Sequence, residues 1–205
     1  MSRLLIPRKT VYRLSLYYRA LQQLNANHVR TVSSAALAKA AGVKPTQLRK
    51  DLTHFGQFGT RGLGYNVVAL RARLHEALGA TRLQPVILVG AGNLGVALSR
   101  YGGFKKEGFD VVAAFDVEVA KKRAGLRVPL FPMKKLRAFV EQKKIKLAIL
   151  TVPGEVAQKV AEELVAAGIC GLLNFSPMVL DLREGTIVNN VDLALELENL
   201  SYFIQ

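Results

Sequence analysis

Three glycines, at 90, 92 and 95 in "GAGNLG", follow the apolar run "PVILV" and precede "VALSRYGGF". The first glycine allows a tight turn off a strand, the second lets backbone approach a pyrophosphate, and the third lets the next helix lie close to the strand. Gly90, Gly92 and Gly95, with Asn93 and Leu94 between them, therefore read as a dinucleotide cradle at a helix N-terminus. A second apolar run, "DVVAAFD", ends in Asp116, twenty-one residues past Gly95. A carboxylate there accepts hydrogen bonds from ribose hydroxyls and repels a 2′-phosphate, which points to NAD(H). Val117 and Glu118 supply no cation to reverse that choice; Lys121, Lys122 and Arg123 lie farther on and suit a charged helix face.

Catalysis would need a positioned acid or base beside the nicotinamide. All three histidines, His28, His54 and His75, precede the glycine motif, and none has the spacing of a metal site. Tyr101 and Lys105 match a Tyr-x-x-x-Lys spacing, but that pair works on one helix, and Gly102 and Gly103 oppose a helix there. No catalytic residue and no metal is expected. The single Cys170 excludes an intrachain disulfide; in "GICGLLNF" it reads as a buried, inert thiol.

The elements that must hold the cradle alternate along the chain: "RVPLF", a helix from Met133 to about Lys143, the strand "KLAILTV", the helix "EVAQKVAEELVAAG" closed by Gly168, then "ICGLLNF" and "GTIVNN". Such alternation predicts a Rossmann-like doubly wound parallel sheet, with ligands beyond the carboxyl ends of its strands. Thr151, Val152 and Pro153 end one strand, and Asn174, Phe175 and Ser176 another, so both turns are placed to wall a nicotinamide. The last segment, "VDLALELENLSYFIQ", is helical; its leucines and Phe203 must dock on their own sheet or on a second subunit.

The first eighty residues differ in charge. They hold thirteen Lys and Arg against Asp51 and Glu76, a net +11 of the chain's +14. Such asymmetry marks a boundary near residue 80 and a polyanion-facing N-terminal part. "TVYRLSLYYRALQQL" carries Val11, Leu14, Tyr17 or Tyr18, Leu21 and Leu24 at helical spacing. "TVSSAALAKAAG" offers Ser33 or Ser34 as a cap and Gly42 as a stop, and "VKPTQLRKDLTHF" places Val43, Leu48, Leu52 and Phe55 inward. The short turn between the last two helices suits a helix-turn-helix, and "GQFGTRGLGY", with glycines at 56, 59, 62 and 64, suits a hairpin wing with Arg61 at its tip. The expected fold is thus α/β: an N-terminal winged helix-turn-helix domain over 1–80, a Rossmann-like domain over 81–190, and a C-terminal helix over 191–205. No apolar run is long enough to span a bilayer, and "MSRLLIPRKT" has no secretory signal, which implies a cytoplasmic protein without a membrane partner.

The segments "LRKDLTHFGQFGTRGLGY", "GAGNLG", "FDV", "TVP", "NFSP" and "NVDL", in that order, resemble the bacterial redox-sensing transcriptional repressors of the Rex family over nearly the whole chain. The resemblance implies a homodimer that binds a palindromic operator in double-stranded DNA and dissociates when NADH binds, so following the balance of NADH and NAD+. It assigns DNA contacts to Lys44, Thr46, Gln47, Arg49 and Lys50 in the recognition helix and to Thr60 and Arg61 in the wing. It assigns a redox-dependent contact between domains to Arg19 and Asp192, and a place near the nicotinamide to Tyr101. The final helix is exchanged between subunits in that family; Leu193 stands where a relative carries phenylalanine. Two rival readings from the residues themselves are a dehydrogenase with a DNA-binding arm and a regulator sensing another nucleotide, such as coenzyme A.

Overall fold

A computed structural model of the chain describes residues 6–56, 58–59, 63–79, 82–119 and 124–204. It divides into two compact units, Met1–Arg82 and Leu83–Gln205.

In the first unit, Pro7 opens helix α1 (Arg8–Ala26), as its fixed φ allows at a helix start. A two-residue strand, β1 (Thr31–Val32), leads to α2 (Ser34–Ala40), which Ser33 caps by accepting a hydrogen bond from the Ala36 amide at 3.1 Å. Gly42, at φ +68°, makes the turn into α3 (Pro45–Thr53). The chain returns through β2 (Tyr65–Asn66), antiparallel to β1, and enters α4 (Val67–Ala77) under an Asn66 cap. Leu14, Tyr17 and Leu21 of α1 form the core with Leu37, Leu48, Leu52, Val67, Leu70 and Leu74.

Three particulars depart from the sequence expectation. First, Val11 is exposed while Thr10 is buried in its place; Tyr17, one of the two tyrosines that the spacing offered, does fill the core, with Tyr18 partly buried against it. Second, the strand after the glycine-rich stretch pairs with Thr31–Val32, ahead of α2. Gly64 permits that approach: at φ +79°, a Cβ there would stand 2.4 Å from the Val32 carbonyl oxygen. The expected wing tip, Thr60, Arg61 and Gly62, lies outside the described residues. Third, α4 is an element to which the sequence reading gave no structure.

The second unit begins with β3 (Gln84–Val89), then α5 (Asn93–Ser99), a four-residue α6 (Gly103–Lys106) and β4 (Phe109–Asp116). β5 (Leu130–Pro132) passes through a 3-10 turn (Met133–Lys135) into α7 (Leu136–Lys143). There follow β6 (Leu147–Leu150), α8 (Gly154–Ala166), β7 (Gly171–Asn174), β8 (Ile187–Asn190) and α9 (Leu193–Tyr202). The sheet order is β5-β4-β3-β6-β7-β8, every pair parallel. Strand alternation divides the side chains between two faces. Ile87, Val89, Phe115 and Leu150 meet Leu136, Val140, Ala161 and Leu164 of α7 and α8, whereas Val86, Leu88, Ala114 and Ile149 meet Leu98, Phe104 and Leu130 on the other side.

Cys170 is exposed, against the expectation of a buried thiol. Gly168, at φ +106°, turns the chain out of α8, and Ile169 and Leu172 take the interior positions on either side. Helix α9 buries none of its residues; Leu193, Leu197, Leu200 and Phe203 all face outward. Among the described residues no helix is long and apolar enough to cross a membrane.

Candidate functional site

In the parallel sheet the chain runs outward from β3 through β4 to β5, and outward from β6 through β7 to β8 on the other side. The order therefore reverses between β3 and β6, and a crevice opens beyond their carboxyl ends, where such sheets take ligands. The glycine turn leaves β3, Asp116 ends β4, Thr151 to Pro153 leave β6, and Asn174 ends β7. Eleven of the sequence-predicted cofactor residues thus meet at one edge of four adjacent strands.

The three glycines do separate jobs. Gly90, at φ +97°, makes the turn, and a Cβ there would stand 2.7 Å from the Thr151 carbonyl oxygen. Gly95 is buried; a Cβ on it would lie 2.0 Å from the Gly90 carbonyl oxygen, so only glycine lets α5 sit this close to β3. Gly92 is exposed, with nothing within 4 Å of its would-be Cβ. That open face, with the amides of Asn93, Leu94 and Gly95 ahead of the first intrahelical bond from Val96 to Gly92, fits an anionic phosphate.

Several predicted ligands brace the crevice. The Asp116 carboxylate accepts from the Ala91 amide at 2.7 Å and from the Glu118 amide at 2.9 Å, folding over the glycine turn. The Thr151 hydroxyl donates to the Gly90 carbonyl at 2.7 Å, pinning the ends of β3 and β6 together. Asn174 is wholly buried: its amide nitrogen donates to the carbonyls of Ser176 and Met178 and to the Asn190 side chain, and its oxygen accepts from the Ser176 amide. The Ser176 hydroxyl donates to the Val152 carbonyl at 2.7 Å, joining the two loops. Val152 is half-buried and Pro153 exposed at the start of α8. Tyr101 follows seven-residue α5 and packs edge-to-face on Phe104. It also falls outside α6, and Lys105 faces Asp110 at 3.8 Å, so the Tyr101 and Lys105 spacing forms no helical pair. Lys121, Lys122 and Arg123 are outside the described residues.

In the first unit, α2 and α3 form the helix-turn-helix. Lys44 stands at the N-cap position of α3, and Thr46, Arg49 and Lys50 are exposed along the helix, with an Arg49 guanidinium nitrogen 3.2 Å from the Ser34 hydroxyl. Gln47, also expected to contact DNA, is half-buried, and its amide donates to Asp51 at 2.9 Å. Thr60 and Arg61 lie outside the described residues. Arg19 is exposed on α1, and Asp192 caps α9, accepting from the amides of Ala194 and Leu195.

The sequence reading missed Asp51. Although 1% exposed, its carboxylate accepts from Arg13 at 2.6 and 2.7 Å, from the Tyr17 hydroxyl at 2.7 Å, from Gln47, and from Thr10 at 3.4 Å. Burial pushes the Asp51 pKa up, but the hydrogen bonds from Arg13, Tyr17 and Gln47 outweigh it and hold the value down at about 2. The Tyr17 hydroxyl is pushed well above its usual range, by burial and by the bond to Asp51. A signal existed: Asp51 is one of two acids in eighty residues, and it stands in a helix otherwise suited to face phosphate.

Comparison with known proteins agrees with both halves. Residues 5–53 match a family model described as a putative DNA-binding protein N-terminus, and residues 81–178 match a CoA binding domain. The redox-sensing transcriptional repressor Rex of Pelotomaculum thermopropionicum is 40% identical over 205 residues, covering 98% of this chain and 95% of the relative. That of Carboxydothermus hydrogenoformans is 43% identical over 203 residues, covering 98% of this chain and 97% of its own. The crystal structure of RSP, a Rex-family repressor, in complex with β-NAD+ and operator DNA superposes with a TM-score of 0.91 at 36% identity, covering 98% of this chain and 93% of RSP. RSP in complex with β-NADH gives 0.86 at 34% identity, covering 98% and 94%. This chain belongs to the Rex family of redox-sensing transcriptional repressors.

Proposed function

We propose that the chain represses transcription as a homodimer on a palindromic operator in the cytoplasm, and that NADH in the crevice releases it. The observation that carries this reading is the union, in one chain, of a cradle open at Gly92 with a helix-turn-helix unit whose first eighty residues carry a net charge of +11. The amides of Gly92 to Gly95 seat the pyrophosphate and Asp116 the ribose hydroxyls. Lys44, Thr46, Arg49 and Lys50 meet the major groove and phosphates, with Thr60 and Arg61 in the wing. The uncovered leucines of α9 support pairing with a second copy.

Discrimination follows from charge. The nicotinamide ring is positive in NAD+ and neutral in NADH, so a dry wall including Val152 and Phe175 favours the reduced form. To act as a switch, NADH must also prefer a dimer geometry that no longer fits half-sites a whole number of helical turns apart. A complete swing needs roughly 5 kcal/mol of differential affinity, a graded response less. Arg19 and Asp192 help set that preference. Asp192→Asn keeps an α9 cap and removes the charge, so it should weaken release by NADH; release at the wild-type NADH concentration would count against the pair.

A second reading, a coenzyme A sensor, draws on the match of residues 81–178 to a CoA binding domain. Mobility shifts on a selected duplex with NADH, NAD+ and coenzyme A separate the two. Release by NADH alone is expected; equal retention with NADH and NAD+ overturns the redox reading, and release by coenzyme A establishes its rival.

A further inference from the structure

Asp51 poses an electrostatic problem. A carboxylate on a helix that meets polyphosphate repels its partner, and buried in isolation it would be costly. The structure resolves both difficulties together. Arg13 clasps both carboxylate oxygens through two guanidinium nitrogens, and Tyr17 and Thr10 complete the cage. Arg13, Tyr17 and Thr10 belong to α1, and Asp51 to α3, thirty-four to forty-one residues away in sequence. The cage therefore fixes the roll of α3 about its own axis against α1. Gln47, one helical turn before Asp51, is drawn to the same carboxylate. One hydrogen of its amide nitrogen, the group that would donate to an adenine edge, is thereby directed inside the domain.

We infer that Gln47 and Asp51 are positioning residues for DNA reading: the caged carboxylate sets the rotation of α3 and withdraws the Gln47 amide from the bases, leaving Thr46, Arg49 and Lys50 to face the groove. This rests on the repressor reading and adds to it a division of labour within the recognition helix, in which two neighbouring polar positions on α3 act through others.

The test uses the full-length protein and a duplex that the wild type selects from a random library, together with every single-base variant of that duplex. Gln47→Ala, at a half-buried position, should weaken binding to all these duplexes by one common factor and keep the base preference within about twofold at each position. A flattening of about tenfold at one base pair, the signature of a lost bidentate contact, would overturn the assignment. Asp51→Asn should lose at least tenfold in discrimination between the selected duplex and random DNA while binding NADH as before. Leu70→Ala, in the same core but on α4, supplies a comparison at similar loss of stability. If Leu70→Ala loses discrimination equally, the cage has no special role in positioning and the proposal falls. If the wild type selects no duplex at all, the repressor reading itself fails and this inference falls with it; flattening confined to Gln47→Ala removes the division of labour alone.

Discussion

Alanine at Gly92 and alanine at Gly95 should fail in opposite ways, and the difference tests whether the glycine turn is a ligand cradle or only a tight corner. Gly92 has φ −69°, a conformation alanine adopts freely, and no atom lies within 4 Å of the methyl it would gain. Its substitution should leave stability within about 0.5 kcal/mol. The new methyl projects into the space where a pyrophosphate would approach, so NADH affinity should fall by roughly tenfold or more, a loss of at least about 1.4 kcal/mol. Gly95→Ala meets the Gly90 carbonyl oxygen at 2.0 Å and the Thr151 hydroxyl at 3.0 Å. Ordinary contact is well beyond the first of these distances, and the carbonyl cannot retreat easily because Thr151 holds it at 2.7 Å. Overpacking of this kind costs about 3 kcal/mol or more, roughly 10 °C in Tm for a unit of this size. Thermal melting and titration of nicotinamide fluorescence read the two effects separately. A Gly92→Ala protein that takes up NADH like the wild type would refute the cradle, and a Gly95→Ala protein that melts like the wild type would refute the packing argument.

Three further outcomes follow from the same structure. Asp51 titrates at about 2 when folded, below its unfolded value of 3.8, so the stability it contributes is full above pH 4 and is lost as pH falls toward 2; urea midpoints should drop over that window by an amount worth about 2 kcal/mol, and Asp51→Asn should abolish that part of the pH dependence. Leu197→Glu, on the outward face of α9, should leave secondary structure intact and shift sedimentation from dimer toward monomer; an unchanged sedimentation profile would remove α9 from the subunit interface. Cys170 should react with a small thiol reagent in native buffer as fast as in denaturant, within a few-fold; strong native protection would contradict its exposure.

Local pattern carried much of the architecture. The β3 and β4 runs, the Ser33 cap, the Pro45 start and the Gly168 stop are all decided by residues within a turn or two of the feature, and each appears in the structure. The α4 helix escaped although Asn66 with Val67, Leu70 and Leu74 gives a cap and an inward stripe, because "VVALRARL" also suits a strand and its partner, α1, lies some fifty residues earlier. Residue type announced Asp116 and Thr151 as site residues but not what their polar atoms do, since the Ala91 amide and the Gly90 carbonyl reach them only when separate strands come together. Asn174 and Ser176 show the same limit: they were legible as belonging to the crevice, and their bracing of Met178, Asn190 and Val152 was not. The Asp51 cage depends on pairings of thirty-eight and thirty-four residues with Arg13 and Tyr17, beyond any local rule.

Thr151 and Asp116 tie the glycine turn down through hydrogen bonds of the chain's own atoms. Ordering a flexible loop costs about 1 kcal/mol or more per residue in conformational entropy, and bonds of this kind take that cost out of the encounter with a ligand. The Thr151 hydroxyl should then govern how tightly the coenzyme is held by way of the turn it ties down, because freeing that turn restores the entropy its hydrogen bonds had removed.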